Sequence, residues 1–86
     1  MRYLLMLLAL LPLQALASAD CPVYPKTEWA DIETLRQALL GEGYTINKLH
    51  TSDNCYEIYG RNKLGKFVEI YFDTKTFAII KAEVEK

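Results

Sequence analysis

The segment CYEIYGRNKLGKFVEIYFD, Cys55–Asp73, is the part of the sequence around which the rest of the predicted fold is organised. Both of its arms are rich in aromatic and β-branched residues, and a polar segment that ends in Gly65 separates them. This pattern predicts a β-hairpin whose type I turn is followed by Gly65 in the left-handed region. Asn62 and Lys66 then flank the loop, and Ile58 faces Ile70.

Side chains alternate between the two faces of a strand, so this register gives the hairpin two different faces. The face with Ile58 and Ile70 is apolar. The opposite face is the candidate binding face, and it carries Glu57, Tyr59, Phe67, Glu69 and Tyr71. A register one residue away would set apolar residues against Glu and Tyr on both faces, which a sheet with one buried side does not tolerate.

A helix that covers the apolar face is predicted before the hairpin. Apolar residues recur there at helical spacing, at Ile32, Leu35, Ala38 and Leu39. Thr27 and Asp31 are alternative N-caps, and Gly41 and Gly43 end the helix. Trp29 is expected to close the edge of the core, and a binding role for it is the alternative.

Two further strands are predicted, one on each side of the hairpin. Residues 44–51 form the first, with a bulge because Ile46 and Leu49 are out of phase with strict alternation. Residues 77–84 form the last strand. Two registers fit it, and the one that sets Lys81 opposite Glu69 is favoured because the alternative sets Glu83 there. The fold class is therefore α+β, with one N-terminal helix packed on one face of a three- to four-stranded antiparallel β-meander, in two layers.

The first 19 residues are predicted to be a signal peptide. One Arg precedes an apolar run from Tyr3 to Leu13, and Ala17-Ser18-Ala19 has the small residues of a cleavage site. The run is short for a membrane span, although an uncleaved anchor is the alternative. Residues 20–86 then form a single domain, and we expect no stable membrane insertion after cleavage and a periplasmic or secreted location.

The two cysteines, Cys21 and Cys55, are predicted to form a disulfide. Oxidation is permitted in an exported chain, and a domain this small benefits from a covalent crosslink. A thiol metal site or a redox pair would need closer spacing or more ligands.

The net charge argues against two classes of partner, nucleic acids and anionic membranes. The chain has 10 basic and 11 acidic side chains, and loss of Arg2 with the signal peptide changes the net charge from −1 to −2. This balance lacks the basic surface that nucleic acids or anionic membranes require.

The same residues carry a family resemblance, which covers nearly all of residues 20–86. Trp29, the helix, Gly43–Ile46, Cys55–Tyr59 and Gly65–Tyr71 resemble small exported bacterial proteins of the PepSY domain family. PepSY domains occur in propeptides of thermolysin-like metallopeptidases and as free-standing envelope proteins, so the resemblance implies a protein that binds or restrains proteases. The chain departs from the family at the turn before the last strand, where the family sequence usually reads Asp-Pro-x-Thr-Gly. Here Phe77 replaces the Gly, so we expect a rebuilt loop.

No residue set indicates catalysis or a cofactor. His50 is the only histidine, and with Asp53 it supplies at most two metal ligands. Glu57 and Glu69 are diagonal neighbours whose ordinary cross-strand contacts are favoured over acid/base chemistry. We therefore predict a non-enzymatic, exported protein-binding module whose partner is another exported protein, such as an envelope or secreted protease. The alternative is a small periplasmic ligand- or metal-binding protein.

Overall fold

A computed structural model describes residues 19–86, so the predicted signal peptide lies outside the described residues except for Ala19. A short 3-10 helix, Lys26–Glu28, precedes the single α-helix. The regular elements in chain order are α1 (Ile32–Gly41), β1 (Thr45–Ser52), β2 (Cys55–Arg61), β3 (Phe67–Asp73) and β4 (Ile79–Val84). All neighbouring strands are antiparallel, and their order in the sheet is their order in the chain. The predicted α+β meander is confirmed with four strands.

The central hairpin has the predicted register. Ile58 faces Ile70, and Gly65 has a φ of 83°. The backbone N–H of Asn62 donates to the carbonyl of Lys66 at 2.9 Å, and Asn62 Oδ1 accepts from the backbone N–H groups of Leu64 and Lys66. The Asn side chain thus closes the loop that Gly65 permits.

The core lies between α1 and one face of the sheet, which we call the inner face. Leu35 and Leu39 of α1 are buried against residues of β2 and β3, namely Tyr56, Ile58, Val68, Ile70 and Phe72. Asp31 is the N-cap, because its side chain accepts from the backbone N–H of Glu33 at 3.0 Å. Trp29 meets Tyr56 edge to face at 5.5 Å and packs against the core, as predicted.

The segment before α1 is tied to the sheet by a disulfide and by hydrogen bonds, one of which runs from the Tyr56 hydroxyl of β2 to the carbonyl of Ala30 at 2.6 Å. Cys21 and Cys55 form the predicted disulfide, with a Cα–Cα distance of 5.5 Å. The Tyr24 hydroxyl donates to Asp73 Oδ2 at 2.9 Å, and Trp29 Nε1 donates to the carbonyl of Tyr24 at 3.0 Å. Residues 21–31 therefore cross from β2 to α1 in a position that these contacts fix. Among residues 19–86, neither helix has the length and apolar character of a membrane span.

The register favoured for the last strand is wrong. Glu83 lies opposite Glu69, and Lys81 lies opposite Tyr71. The reason is the preceding loop, in which Asp73 N–H donates to the carbonyl of Ala78 at 2.8 Å. A bulge follows this closing pair, so loop geometry outweighs the charge of one cross-strand pair.

The loop before β4 also differs from the expectation. Phe77 itself adopts a φ of 65°, so the left-handed position of the turn is kept without glycine. The ring of Phe77 packs against the core, with its centroid 6.4 Å from that of Tyr56. This packing offsets the steric cost of a positive φ in a bulky residue.

The predicted bulge in β1 is confirmed, since the pairing with β2 shifts between Ile46 and Lys48. Gly60 lies opposite this shift, where the two backbones approach closely. A Cβ at Gly60 would lie 2.1 Å from the carbonyl oxygen of Thr45, which is backbone and has little room to move.

We therefore expect Gly60→Ala to reduce the free energy of unfolding by about 2 kcal/mol. Gly41→Ala is the matched control: its Cβ would meet nothing within 4 Å, and alanine in a helix is favoured by about 0.5–1 kcal/mol. Urea denaturation of both variants measures the difference. Equal effects of the two substitutions would contradict the close approach of β1 and β2.

Candidate functional site

The outer face of the sheet, which points away from α1, holds the candidate binding residues. The structure divides them into two groups. Glu57 and Tyr71 are 3% and 2% exposed, whereas Tyr59 and Phe67 are 42% and 50% exposed. Glu69 is half-buried between them. Glu57 and Tyr71 therefore do not contribute exposed surface to the candidate binding face.

The buried group is a hydrogen-bonded cluster around Glu57. His50 of β1 and Tyr71 of β3 lie opposite Glu57 on its two neighbouring strands. His50 Nε2 is 2.9 Å from Glu57 Oε1, and the Tyr71 hydroxyl donates to Glu69 Oε2 at 3.0 Å. Cross-strand pairing therefore encloses a carboxylate within a shell of polar and aromatic side chains.

His50 belongs to this cluster, since its side chain contacts Glu57. Its ring stacks against Tyr59, with centroids 6.4 Å apart. Within residues 19–86 no group of three or more His, Cys, Asp or Glu side chains is arranged to hold a metal ion. The contact between His50 and Glu57 follows from the β1–β2 register. This register was not evident from the sequence because β1 is irregular.

The pKa values of the two glutamates in the cluster are shifted in opposite directions. Burial favours the neutral form of Glu57, but hydrogen bonding with Glu69, Tyr59, Tyr71 and His50 outweighs it and lowers the pKa of Glu57. Glu57 and burial together raise the pKa of Glu69. Glu57 is therefore the anion of the pair, and Glu69 keeps its proton to higher pH.

One carboxylate oxygen of Glu57 is enclosed by the cluster. Glu57 Oε2 is buried and has no neighbour with hydrogen-bond geometry in the described residues, although the hydroxyls of Tyr59 and Tyr71 are near enough to favour its charge. Glu57, as a hydrogen-bond partner, raises the pKa of Tyr59 to about 12. Burial and the two glutamates raise the pKa of Tyr71. Both tyrosines therefore remain protonated donors at neutral pH.

The exposed group lines a shallow cavity of about 350 Å³ at the edge of the outer face. Tyr59 and Phe67 form its aromatic part, and the guanidinium of Arg61 lies 3.8 Å from the centroid of the Phe67 ring. Its other lining residues are Val68, Glu69, Glu83, Val84 and Glu85. We call this feature the rim cavity. Its mixture of aromatic rings and carboxylates suits a basic side chain on an apolar stem.

Glu83 and Glu85 were missed as site residues from the sequence. The wrong register for β4 placed Lys81 beside Glu69, whereas the structure brings Glu83 there. Glu85 Oε1 also accepts from the backbone N–H of Phe67 at 2.6 Å, so the end of the chain is held against β3. The alternating charges of residues 81–85 were the available signal, once the length of the preceding loop is known.

The buried carboxyl pair is poorly placed for acid/base chemistry on a bound substrate. Glu57 does not line the rim cavity, whereas Glu69 does. The arrangement supports cross-strand contacts in the cluster and binding at the rim.

The opposite pKa shifts of Glu57 and Glu69 predict that the stability of the protein depends on pH. The folded-state pKa of Glu69 lies above its unfolded value, so its contribution to stability is present below about pH 4.5 and is lost as pH rises through the folded pKa. Glu69→Gln keeps the shape and removes this loss. We expect the variant at pH 7 to be as stable as the native protein or up to about 1 kcal/mol more stable.

Glu57→Gln is the control for this prediction, because it removes the anion that His50 contacts at 2.9 Å. It should lower stability at pH 7. Urea denaturation between pH 4 and pH 8 compares the three proteins. A Glu69→Gln variant that is less stable than the native protein at pH 7 would show that Glu69, not Glu57, is the required anion.

Comparison with known proteins gives one match. A family model described as "Peptidase propeptide and YPEB domain", PepSY_2, matches residues 2–83, which is nearly the whole chain. No curated protein and no solved structure matches this chain.

Proposed function

The chain belongs to the PepSY family of peptidase propeptide and YPEB domains, and from this membership we propose that it is an exported, non-enzymatic module that binds and restrains an envelope or secreted protease. PepSY domains are typically non-catalytic propeptide or regulatory modules, and they usually occur in exported proteins. The disulfide between Cys21 and Cys55 is consistent with export. The proposal includes cleavage of a signal peptide at 1–19 and a single domain at 20–86.

The observation that carries the proposal is the exposed aromatic pair beside the rim cavity. Tyr59 and Phe67 are large apolar side chains, and each exposes two fifths or more of its surface. Aromatic residues at the centre of a patch with a polar border are typical of protein interfaces. The carboxylates of Glu69, Glu83 and Glu85 favour a partner that inserts a Lys or Arg side chain between them.

Partner capture with variants tests this interface. The native protein, a Tyr59→Ala/Phe67→Ala variant and a Leu64→Ala variant are cross-linked in the cell envelope, and bound proteins are identified by mass spectrometry. Leu64 is 76% exposed in the neighbouring turn but does not line the rim cavity, so it controls for loss of any exposed apolar side chain. We expect the double variant alone to lose a peptidase partner.

Folding of the variants is checked by thermal denaturation, since both side chains are exposed and their truncation should leave the fold intact. If the double variant recovers the same partners as the native protein, the rim cavity is not the interface.

A further inference from the structure

We propose that the free edge of β4 pairs with β4 of a second copy of this chain, joining two four-stranded sheets into one antiparallel sheet of eight strands. This inference concerns the free edge of β4 rather than the aromatic pair Tyr59 and Phe67, and it does not depend on the protease-binding function, although Glu83 and Val84 belong both to β4 and to the lining of the rim cavity.

The first observation is that β4 is an uncovered edge strand. It lies last in the sheet order, and none of its residues belongs to the core under α1. Ile79, Ile80 and Val84 expose 58%, 38% and 50% of their surface. An edge strand with exposed apolar residues readily pairs with another strand unless it is protected.

The second observation is the direction of the backbone groups. The N–H of Glu85 donates to the carbonyl of Phe67 on β3 at 3.0 Å. Because these directions alternate along a strand, Ala82 and Val84 direct their N–H and C=O groups toward the free edge. Two antiparallel copies can therefore form a hydrogen-bonded pair of Ala82 with Ala82 at a two-fold axis.

The third observation is that β4 is self-complementary in this register. With Ala82 on the axis, Lys81 faces Glu83 of the second copy, and this pair occurs twice by symmetry. Ile80 faces Val84 of the second copy on the inner face, so charged residues meet charged residues of opposite sign and apolar residues meet apolar ones.

The pairing also improves the surroundings of Glu83 within each chain. Glu83 lies opposite Glu69 on β3, which is a like-charge pair, and Lys81 Nζ is 3.9 Å from Glu83 Oε2 along the same strand. A Lys81 from the second copy would lie directly across from Glu83 on its other side. The strand pairing thus adds a cation where each isolated chain sets two carboxylates against each other.

Analytical ultracentrifugation of the purified protein, from about 1 µM to about 1 mM, measures the monomer–dimer equilibrium. We expect a reversible dimer. Glu83→Lys is the main test, because the introduced ammonium group would face Glu69 favourably within the chain but would face Lys81 of the second copy. We expect it to weaken dimerisation at least about tenfold.

Two further variants make the test specific. Lys81→Glu/Glu83→Lys exchanges the charges and should restore the native dimerisation constant to within about threefold. Ala82→Pro removes an N–H that points to the free edge, so it should abolish the dimer while the β3–β4 pairing is kept. Thermal denaturation of each variant confirms that it is folded.

A protein that stays monomeric throughout this range overturns the proposal. A dimer that persists in Ala82→Pro, or that the charge exchange fails to restore, forms through another surface and overturns it as well.

Discussion

Reduction of the Cys21–Cys55 disulfide is expected to lower the free energy of unfolding by about 3 to 4 kcal/mol, from the loop that closes over a sequence separation of 34 residues. The chain-entropy account gives this figure because the crosslink restricts the unfolded chain more than the folded one. A domain of this size has a total stability of about 3 to 10 kcal/mol, so the loss is a large share. Reduction also removes the covalent attachment of this segment to β2, so the segment is then held by hydrogen bonds such as those from Tyr24 to Asp73 and from Tyr56 to the carbonyl of Ala30.

Urea denaturation with and without reductant measures this effect, and a Cys21→Ala/Cys55→Ala variant is the control. The control should be as unstable as the reduced native protein and should not respond to reductant. An unfolding midpoint of the native protein that is unchanged by reductant would show that the bridge contributes nothing.

Replacement of Ile58 by Ala is expected to cost about 4 kcal/mol, within the range of about 2 to 5 kcal/mol seen for large-to-small core substitutions. Ile58 is fully buried at the centre of the inner face, between Leu49 on β1 and Ile70 on β3. The substitution removes apolar contacts and leaves a cavity that the paired strands cannot close.

Ile79→Ala is the matched control, because Ile79 is 58% exposed on β4. Its cost should stay within about 0.5 kcal/mol. Equal losses at the two isoleucines, measured by urea denaturation at low protein concentration, would contradict the position of the core under α1.

The parts of the fold that local pattern decides were predictable from the sequence. The β2–β3 register follows from Gly65 and from the alternation of apolar and polar residues, and both are confirmed. The helix follows from the spacing of Leu35 and Leu39 and from Asp31 as its cap. The pairing of Cys21 with Cys55 follows from their number and from the predicted export signal.

The parts that depend on loop geometry were not predictable. The register of β4 is set by the loop that follows β3, in which Phe77 takes a positive φ, an unfavourable choice that only packing against the core explains. This register brings Glu83 to the rim cavity. The burial of Glu57 likewise depends on His50, whose strand is irregular, so no local pattern indicated their contact.

The residues of the candidate binding face lie on one face of the sheet, but two of them are buried. Alternation places Glu57 and Tyr71 on the same face as Tyr59 and Phe67, but it does not say which of them reach solvent. His50 and Tyr71, which lie opposite Glu57 on the two neighbouring strands, enclose its carboxylate even though no helix covers this face.

The proposed function is restraint of a peptidase through Tyr59 and Phe67. The most direct measurement is the rate at which the captured peptidase hydrolyses a peptide substrate, titrated with the native protein and with the Tyr59→Ala/Phe67→Ala variant. We expect the native protein to slow hydrolysis in a saturable manner and the variant to require at least about tenfold more protein for the same effect. An unchanged rate at saturating native protein, or equal potency of the two proteins, would contradict restraint of the peptidase through these two residues.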